Sequence, residues 1–179
     1  MKITKEKFTD ITEASLDGNT YEACDFSNLK VDYVVLSKVK FIDCNFSNSN
    51  FTDCGLHDCH FKNCNLLGTS LINCTLKNVS ILSCLGSYLN IGGTILEKVQ
   101  FTDSNVKEMR LVNNSIRNTT FNACNMSKLT LSDTRLRGVD LSTCDISGMI
   151  FKPFDVVGCQ VSANQAVEMI KNFGVIVKF

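Results

Sequence analysis

The stretch from Cys44 to Leu66 reads CNFSNSNFTDCGLHDCHFKNCNL and sets the pattern of the whole chain. A large apolar residue returns at every fifth position, and a small Cys or Ser stands two positions before each of them. A period of five fits neither an α-helix, which repeats every 3.6 residues, nor a flat strand, which repeats every two. We therefore interpret the stretch first as part of an internal repeat.

The central apolar slot of this repeat falls on every fifth residue from Ile11 to Val161, without an insertion or deletion. Of the 31 residues in that slot, only Gly86 is not apolar. Two positions later comes a slot rich in residues that tolerate positive φ angles, among them Gly18, Asn28, Asp43, Asn48, Asp53, Asp58, Asn63, Gly68, Asn73 and Asn78. Each unit of five therefore predicts a short extended piece followed by a tight turn.

A second period of twenty residues predicts how many units complete one coil. When the chain is sorted by twenties, similar residues fall into columns, and one column holds Cys24, Cys44, Cys64, Cys84, Cys124 and Cys144. Four units per coil give a square cross-section, so residues 11–161 should form a β-solenoid of roughly 7.5 coils, stacked about 4.8 Å apart. The slot after the Cys column predicts a polar ladder along one edge, which is made of Asp25, Asn45, Asn65, Leu85, Asn105, Asn125 and Asp145.

All ten cysteines occupy the small slot of the repeat. Disulfide frameworks and zinc sites have paired or irregular spacings, so we interpret these cysteines as packing residues of the wall, with no metal and no cofactor. So many thiols suit a reducing compartment. The N-terminus lacks the apolar run of a secretory signal, and no membrane span is evident, so we expect a cytoplasmic protein with no membrane contact.

The tandem motif resembles that of the pentapeptide-repeat family: a small residue, Asp or Asn, a large apolar residue and two further residues. Copies of it are Cys24-Asp25-Phe26, Cys44-Asn45-Phe46, Cys64-Asn65-Leu66, Cys124-Asn125-Met126 and Cys144-Asp145-Ile146. The resemblance implies a right-handed quadrilateral β-helix over residues 11–161.

Both ends of the chain depart from the frame. Ile3 and Phe8 are five residues apart but out of frame with Ile11, so residues 1–10 predict an irregular N-terminal cap. Ser162 and Gln165 form a capping-box signature for a short helix, which Gly174 is placed to end. The last five residues, 175–179, predict a short strand.

The C-terminal module, residues 162–179, carries apolar side chains that need a surface to pack against. We assign the contact to Val167, Ile170, Phe173, Val175 and Val177. One interpretation is a simple lid on the last coil. The other, which we favour, is a homodimer contact through the same helix and strand.

The segment from Asp155 to Val177 resembles the C-terminal module of the quinolone-resistance (Qnr-type) pentapeptide-repeat proteins. That resemblance implies a rod-shaped dimer that interacts with DNA gyrase or topoisomerase IV and gives protection from quinolones. It also implies mimicry of duplex DNA in size and negative charge.

The distribution of charge departs from such mimicry. A duplex carries one negative charge per roughly 1.7 Å, whereas residues 1–60 have a net charge of −4 and residues 61–140 a net charge of +4. A direct contact with nucleic acid would use the basic residues Lys98, Lys107, Arg110, Arg117, Lys128, Arg135 and Arg137. We expect these residues to be spread over several faces, so direct binding ranks third among the hypotheses.

A second candidate partner-binding surface consists of apolar residues in slots that should face water: Leu67, Ile72, Leu82, Leu85, Tyr88 and Ile95. The alternative, which we favour, is that the frame bulges around Leu85 and Gly86. Leu85 would then turn inward and replace the missing side chain.

No catalytic motif is present in the chain. The only histidines, His57 and His60, fall in outward slots on adjacent faces, which predicts neither a metal site nor an acid–base role. There is no glycine-rich phosphate loop and no nucleophile motif, and a filled core predicts no interior pocket. We expect a non-catalytic rod that binds gyrase or topoisomerase IV; the alternative is a structural scaffold for a different partner.

Overall fold

The computed structural model describes residues 1–11 and 16–178. Within them the chain winds into a parallel β-solenoid with four faces, which we number 1 to 4 in chain order from Tyr21. Paired residues are twenty apart, as in the series Tyr21, Phe41, Phe61 and Ile81, so the predicted coil of four units is confirmed.

In the described part of the chain, eighteen short strands form three of the four faces. Face 1 contains β1 (Lys2–Thr4), β2 (Thr20–Glu22), β5 (Lys40–Ile42), β8 (His60–Lys62), β11 (Ser80–Leu82), β14 (Gln100–Thr102) and β17 (Thr120–Asn122). Face 3 contains β3 (Lys30–Asp32), β6 (Asn50–Thr52), β9 (Ser70–Ile72), β12 (Asn90–Gly92), β15 (Arg110–Val112) and β18 (Thr130–Ser132). Face 4 contains β4 (Val35–Ser37), β7 (Gly55–His57), β10 (Thr75–Lys77), β13 (Ile95–Glu97) and β16 (Ser115–Arg117).

Face 2 is built from turns. Its coils are joined by single bridges along the predicted polar ladder, from Asp25 to Asp145. Each coil closes there with a turn, for example through the bond from Ser49 N–H to Phe46 C=O at 3.1 Å. The predicted positive φ angles occur at the corners of all four faces, as at Asn28 and Asp53.

The core consists of the central slots, stacked coil on coil. Phe26 stacks on Phe46 with ring centroids 4.8 Å apart, and Phe41 stacks on Phe61 at 5.0 Å. Where these aromatic columns give way to smaller residues, an apolar cavity of about 30 Å³ lies between side chains that include Phe46, Leu66 and Ile81. The prediction that the core has no interior pocket is therefore wrong, although the cavity is small.

The frame passes through Gly86 without a bulge. Leu85 is bridged in register to Asn65 and Asn105, and its side chain is 61% exposed. The predicted inward turn of Leu85 is wrong because its backbone is held by the coils on both sides. The space that a side chain would fill at Gly86 is bordered instead by neighbours such as Val106.

The N-terminal segment is more regular than predicted. β1 pairs with β2, with Ile3 opposite Tyr21, and the Phe8 ring stacks on Phe26 at 4.4 Å. These partners are eighteen residues apart, so a shorter first circuit accounts for the change of frame. Residues 2–8 therefore extend faces 1 and 2, and are not an irregular cap.

Strand pairing stops at Ser132, but the coils continue through single bridges as far as Gln160. A 3-10 helix (Pro153–Val156) lies within this last part of the solenoid, and helix α1 (Ala163–Lys171) follows Gln160. Ser162 caps α1 through the predicted capping box with Gln165. No strand forms at residues 175–178, because their backbone finds no neighbouring strand in the described chain; residue 179 lies outside the described residues.

Candidate interaction surfaces

Helix α1 closes the C-terminal end of the rod with side-chain amides. Gln165 Nε2 donates to the carbonyl oxygens of Leu141 at 2.9 Å and Cys144 at 2.7 Å, and Asn172 Nδ2 donates to Met149 C=O at 3.2 Å. In the middle of the rod, the N–H groups of the next coil donate to such carbonyls; at this end the side-chain amides take their place. The sequence signal for Gln165 pointed only to the capping box, and nothing in the pattern singled out Asn172.

The residues assigned to dimerisation lie around this lid with much of their surface in water. Ile170, Phe173 and Val175 are 43%, 53% and 45% exposed, while Val167 and Val177 are half-buried. The Phe173 ring lies edge-on to Phe151, with centroids 5.9 Å apart. The module thus contacts the last coil and also presents an unpartnered apolar surface.

A cleft of about 300 Å³ separates α1 from the last turn of face 2. It is lined by residues 144–149 of the coil and by the helix residues Asn164, Gln165, Glu168 and Met169, among others. Its wall is mostly apolar, which is typical of a packing gap beside a lid.

The six residues of the apolar candidate surface do not form one patch. Leu67 and Leu85 lie on neighbouring coils of face 2, 42% and 61% exposed, with Tyr88 at the adjoining corner. The remaining three belong to other faces: Leu82 to face 1, Ile72 to face 3 and Ile95 to face 4. Only the first three residues, which we term the face 2 patch, lie together on one face and its corner.

The face 2 patch interrupts a ladder of polar side chains. Along this edge Asn and Asp oxygens accept from the N–H two residues later, as in Ser47 N–H to Asn45 Oδ1 at 3.1 Å. Hydrogen bonds from the Ser27 hydroxyl and from the Ser27 N–H hold the pKa of the Asp25 carboxyl below its usual value. Leu85 has no such oxygen, so the ladder breaks where the surface becomes apolar.

The histidines and cysteines do not converge on a metal. His57 lies on face 4 and His60 on face 1, as predicted. Among the described residues no group of three His, Cys, Asp or Glu side chains could hold an ion. No helix in this part of the chain is long and apolar enough to span a bilayer.

The cysteine thiols bond to the backbone of the wall. Cys54 Sγ lies 3.4 Å from Val31 C=O, a carbonyl 23 residues earlier, and burial raises the pKa of the Cys59 thiol to about 11. The Cys124 and Cys144 thiols lie in the same slot of successive coils, and their mutual interaction lowers the pKa of Cys144 and raises that of Cys124.

The basic residues are less dispersed than the sequence suggested. Arg117 is in β16, and Arg135 and Arg137 flank Leu136 in the next coil of face 4. Lys98 occupies the corner that follows this face. The remaining three lie elsewhere: Lys107 on face 2, Lys128 at its corner and Arg110 on face 3. The seven residues are spread over several faces, as expected, but the first four of them gather on face 4 and at its corner.

Two protein-family models match the sequence. One, described as a pentapeptide repeat region, covers residues 34–111, and the other, described as pentapeptide repeats in eight copies, covers residues 115–148. A search of curated proteins gives no match.

Several solved structures are similar to this chain. Full-length QnrB1, a plasmid-mediated fluoroquinolone resistance protein, is 18% identical, with 98% of this chain and 100% of QnrB1 covered and a TM-score of 0.57. A trypsin-treated QnrB1 variant gives 20% identity, coverage of 99% and 98%, and a TM-score of 0.51. HetL from Nostoc sp. strain PCC 7120, a pentapeptide repeat protein involved in heterocyst differentiation regulation, is 13% identical. The match covers 89% of this chain and 84% of HetL, with a TM-score of 0.39. The QnrB1 matches show a shared fold. The two family models, which together cover more than half of the sequence, establish that the chain belongs to the pentapeptide-repeat family.

Proposed function

We propose that the chain is a non-catalytic interaction rod that dimerises through its C-terminal module and binds DNA gyrase or topoisomerase IV. The observation that carries the proposal is the exposed apolar surface at the closed end of the rod, where Ile170 and Phe173 keep 43% and 53% of their surface in water. The resemblance to the quinolone-resistance proteins supports the choice of topoisomerase. The extended segment after α1 supports dimerisation, since a strand from a second copy would satisfy its backbone.

Charge mimicry of DNA is the weaker part of this function. Residues 1–60 span three coils, about 14 Å, along which a duplex carries about eight negative charges. Their net charge is only −4, and residues 61–140 are positive. We therefore assign recognition of the topoisomerase to rod shape and particular side chains, such as the face 2 patch.

Sedimentation velocity tests dimerisation. Ile170→Glu or Phe173→Glu should give a monomer, because either change buries a charge in the apolar contact. Asn164→Glu places the same charge about 120° around α1 from Ile170, at the mouth of the cleft, and should leave the dimer intact. A wild-type protein that sediments as a monomer, or an Ile170→Glu variant that stays dimeric, contradicts this interface.

Gyrase supercoiling with purified protein, with and without ciprofloxacin, tests the partner. We expect inhibition, protection from the drug, or both, and a reduced effect for Leu85→Asp with unchanged thermal stability. If neither occurs at micromolar protein, gyrase is not the partner. The second candidate function is then a scaffold for another protein. The charge of the rod favours it, because the positive residues 61–140 do not resemble a DNA duplex.

A further inference from the structure

The positive charge of the central region is concentrated on face 4. Its basic residues there and at the following corner form what we term the basic stripe: Lys77, Lys98, Arg117, Arg135 and Arg137. Among residues 61–140, Glu97 is the only acid on face 4 or at the corner that follows it. Five basic residues and one acid therefore give this face a charge of +4. The other charged residues of the region lie on faces 1 to 3 or, like Asp133, at the corner before face 4, and their charges cancel. The entire net charge of +4 thus lies on one side of the rod.

Three members of the stripe, Lys77, Arg117 and Arg137, share one slot of the coil and so form a straight column, with Arg135 and Lys98 in the slots on either side of it. The outer position of face 4 passes in register from His57 to Lys77, Glu97 and Arg117, and the frame continues to Arg137. From the coil of Lys77 to that of Arg137 there are three steps of about 4.8 Å, or about 14 Å. Phosphates of one DNA strand advance 3.4 Å along the axis, so the stripe is about as long as four phosphates.

Most charges of the stripe are not neutralised within the described chain. Lys77 Nζ is 4.0 Å from Glu97 Oε2, the one ion pair of the stripe. The Arg135 guanidinium lies over the Phe154 ring at 4.1 Å, which fixes it without cancelling its charge. Off this face, Lys128 pairs with Glu108 at 3.8 Å.

A polar groove lies at the N-terminal end of the stripe. Its volume is about 470 Å³, and it is lined by Ser37, His57, Asp58, Lys77, Asn78 and Lys98. Asp58 is the one acid among them, and its Oδ1 accepts from Asn78 Nδ2 at 2.6 Å. Two ammonium groups beside hydroxyl and imidazole donors make a setting that suits a phosphate oxygen.

From this arrangement we propose that face 4 binds the phosphodiester backbone of duplex DNA, along the basic stripe and without base recognition. Arginine suits this task because its planar guanidinium pairs with phosphate in bidentate geometry. The contact goes beyond the proposed binding of topoisomerase, because here the rod touches DNA itself and does not replace it. It requires no topoisomerase and is measured in its absence.

Fluorescence anisotropy with a labelled 30-base-pair duplex of mixed sequence, titrated between 25 and 200 mM KCl, tests the proposal. Four to five phosphate contacts give a slope of log K against log salt of about −4, at roughly −0.9 per contact. Replacing Arg117 and Arg137 by Gln should reduce the slope by about 2 and weaken binding equally for unrelated sequences.

The matched control removes two charges from other faces by Lys107→Gln with Arg110→Gln, and should leave slope and affinity unchanged. All four positions are exposed, so circular dichroism should show every variant folded. The proposal is overturned if wild-type protein at 100 µM leaves the duplex unbound in 25 mM KCl, or if both double variants lose affinity equally. It is also overturned if sedimentation shows that the protein self-associates and that replacing the two arginines abolishes this. The stripe would then bind the acidic residues 1–60 of a second copy.

Discussion

Replacing Thr94 by Val tests whether the small slot of the repeat needs a hydrogen-bonding atom or only a small volume. Thr94 is completely buried; its Oγ1 accepts from Cys74 N–H at 3.1 Å and lies 3.1 Å from Leu71 C=O. Val fills the slot without strain elsewhere in the wall, as at Val79 and Val99. The substitution therefore keeps the packing, removes the bonds and leaves the Cys74 N–H without an acceptor.

We expect Thr94→Val to lower the free energy of unfolding by about 1–3 kcal/mol, the usual cost of an orphaned buried polar group. At roughly 2–4 °C per kcal/mol for a chain of this size, a thermal melt by circular dichroism resolves the change. Thr75→Val makes the same chemical change on the outer side of β10 and should alter stability by less than about 0.5 kcal/mol. Equal melting temperatures for the two variants would show that the slot selects volume alone.

Three further predictions concern the core, the lid and the polar ladder. Gly86→Ala should stabilise the fold by about 0.5–1 kcal/mol in urea unfolding, since its φ is ordinary and only Val106 Cγ1, 3.3 Å from the new methyl, must shift slightly. Gln165→Leu should lower the melting temperature and speed amide exchange in the last coil, because two carbonyls lose their donor; unchanged exchange there would contradict the lid. The Asp25 carboxylate, whose pKa Ser27 lowers, stabilises the fold above about pH 4 and loses this effect as the pH falls through its folded-state pKa. Asp25→Asn, which keeps the acceptor, should therefore lose less stability than wild type between about pH 4 and pH 2.

Periodicity made the fold predictable because each slot of the repeat has one environment. The central slot is buried from Ile11 to Ile146 with few exceptions, and its register gives the coil without any knowledge of the family. The N-terminal coil was missed for the same reason. Ile3 and Phe8 have the right side chains for their columns, but a step of eighteen residues hides them from a search that holds the frame fixed.

The outer surface was harder to predict because neighbours along the chain lie on different sides of the rod. Arg110 and Arg117 are close in sequence but belong to faces 3 and 4, whereas Arg117 and Arg137, twenty residues apart, occupy the same slot of successive coils. The same geometry divides the apolar candidates, with Leu67 and Leu85 together and Ile95 apart. Surface residues have to be sorted by twenties, as core residues are.

The cysteines were correctly placed in the wall, but size explains only part of their selection. A cysteine in the small slot brings its Sγ to the carbonyl of a residue 23 positions earlier, as Cys54 does at 3.4 Å. Ser49 Oγ and Thr69 Oγ1 reach the equivalent carbonyls at 2.6 and 2.8 Å. A thiol is the weaker donor but a better apolar filler than a hydroxyl. Cysteine therefore suits slots where packing dominates, and a hydroxyl suits those where the carbonyl needs the stronger bond.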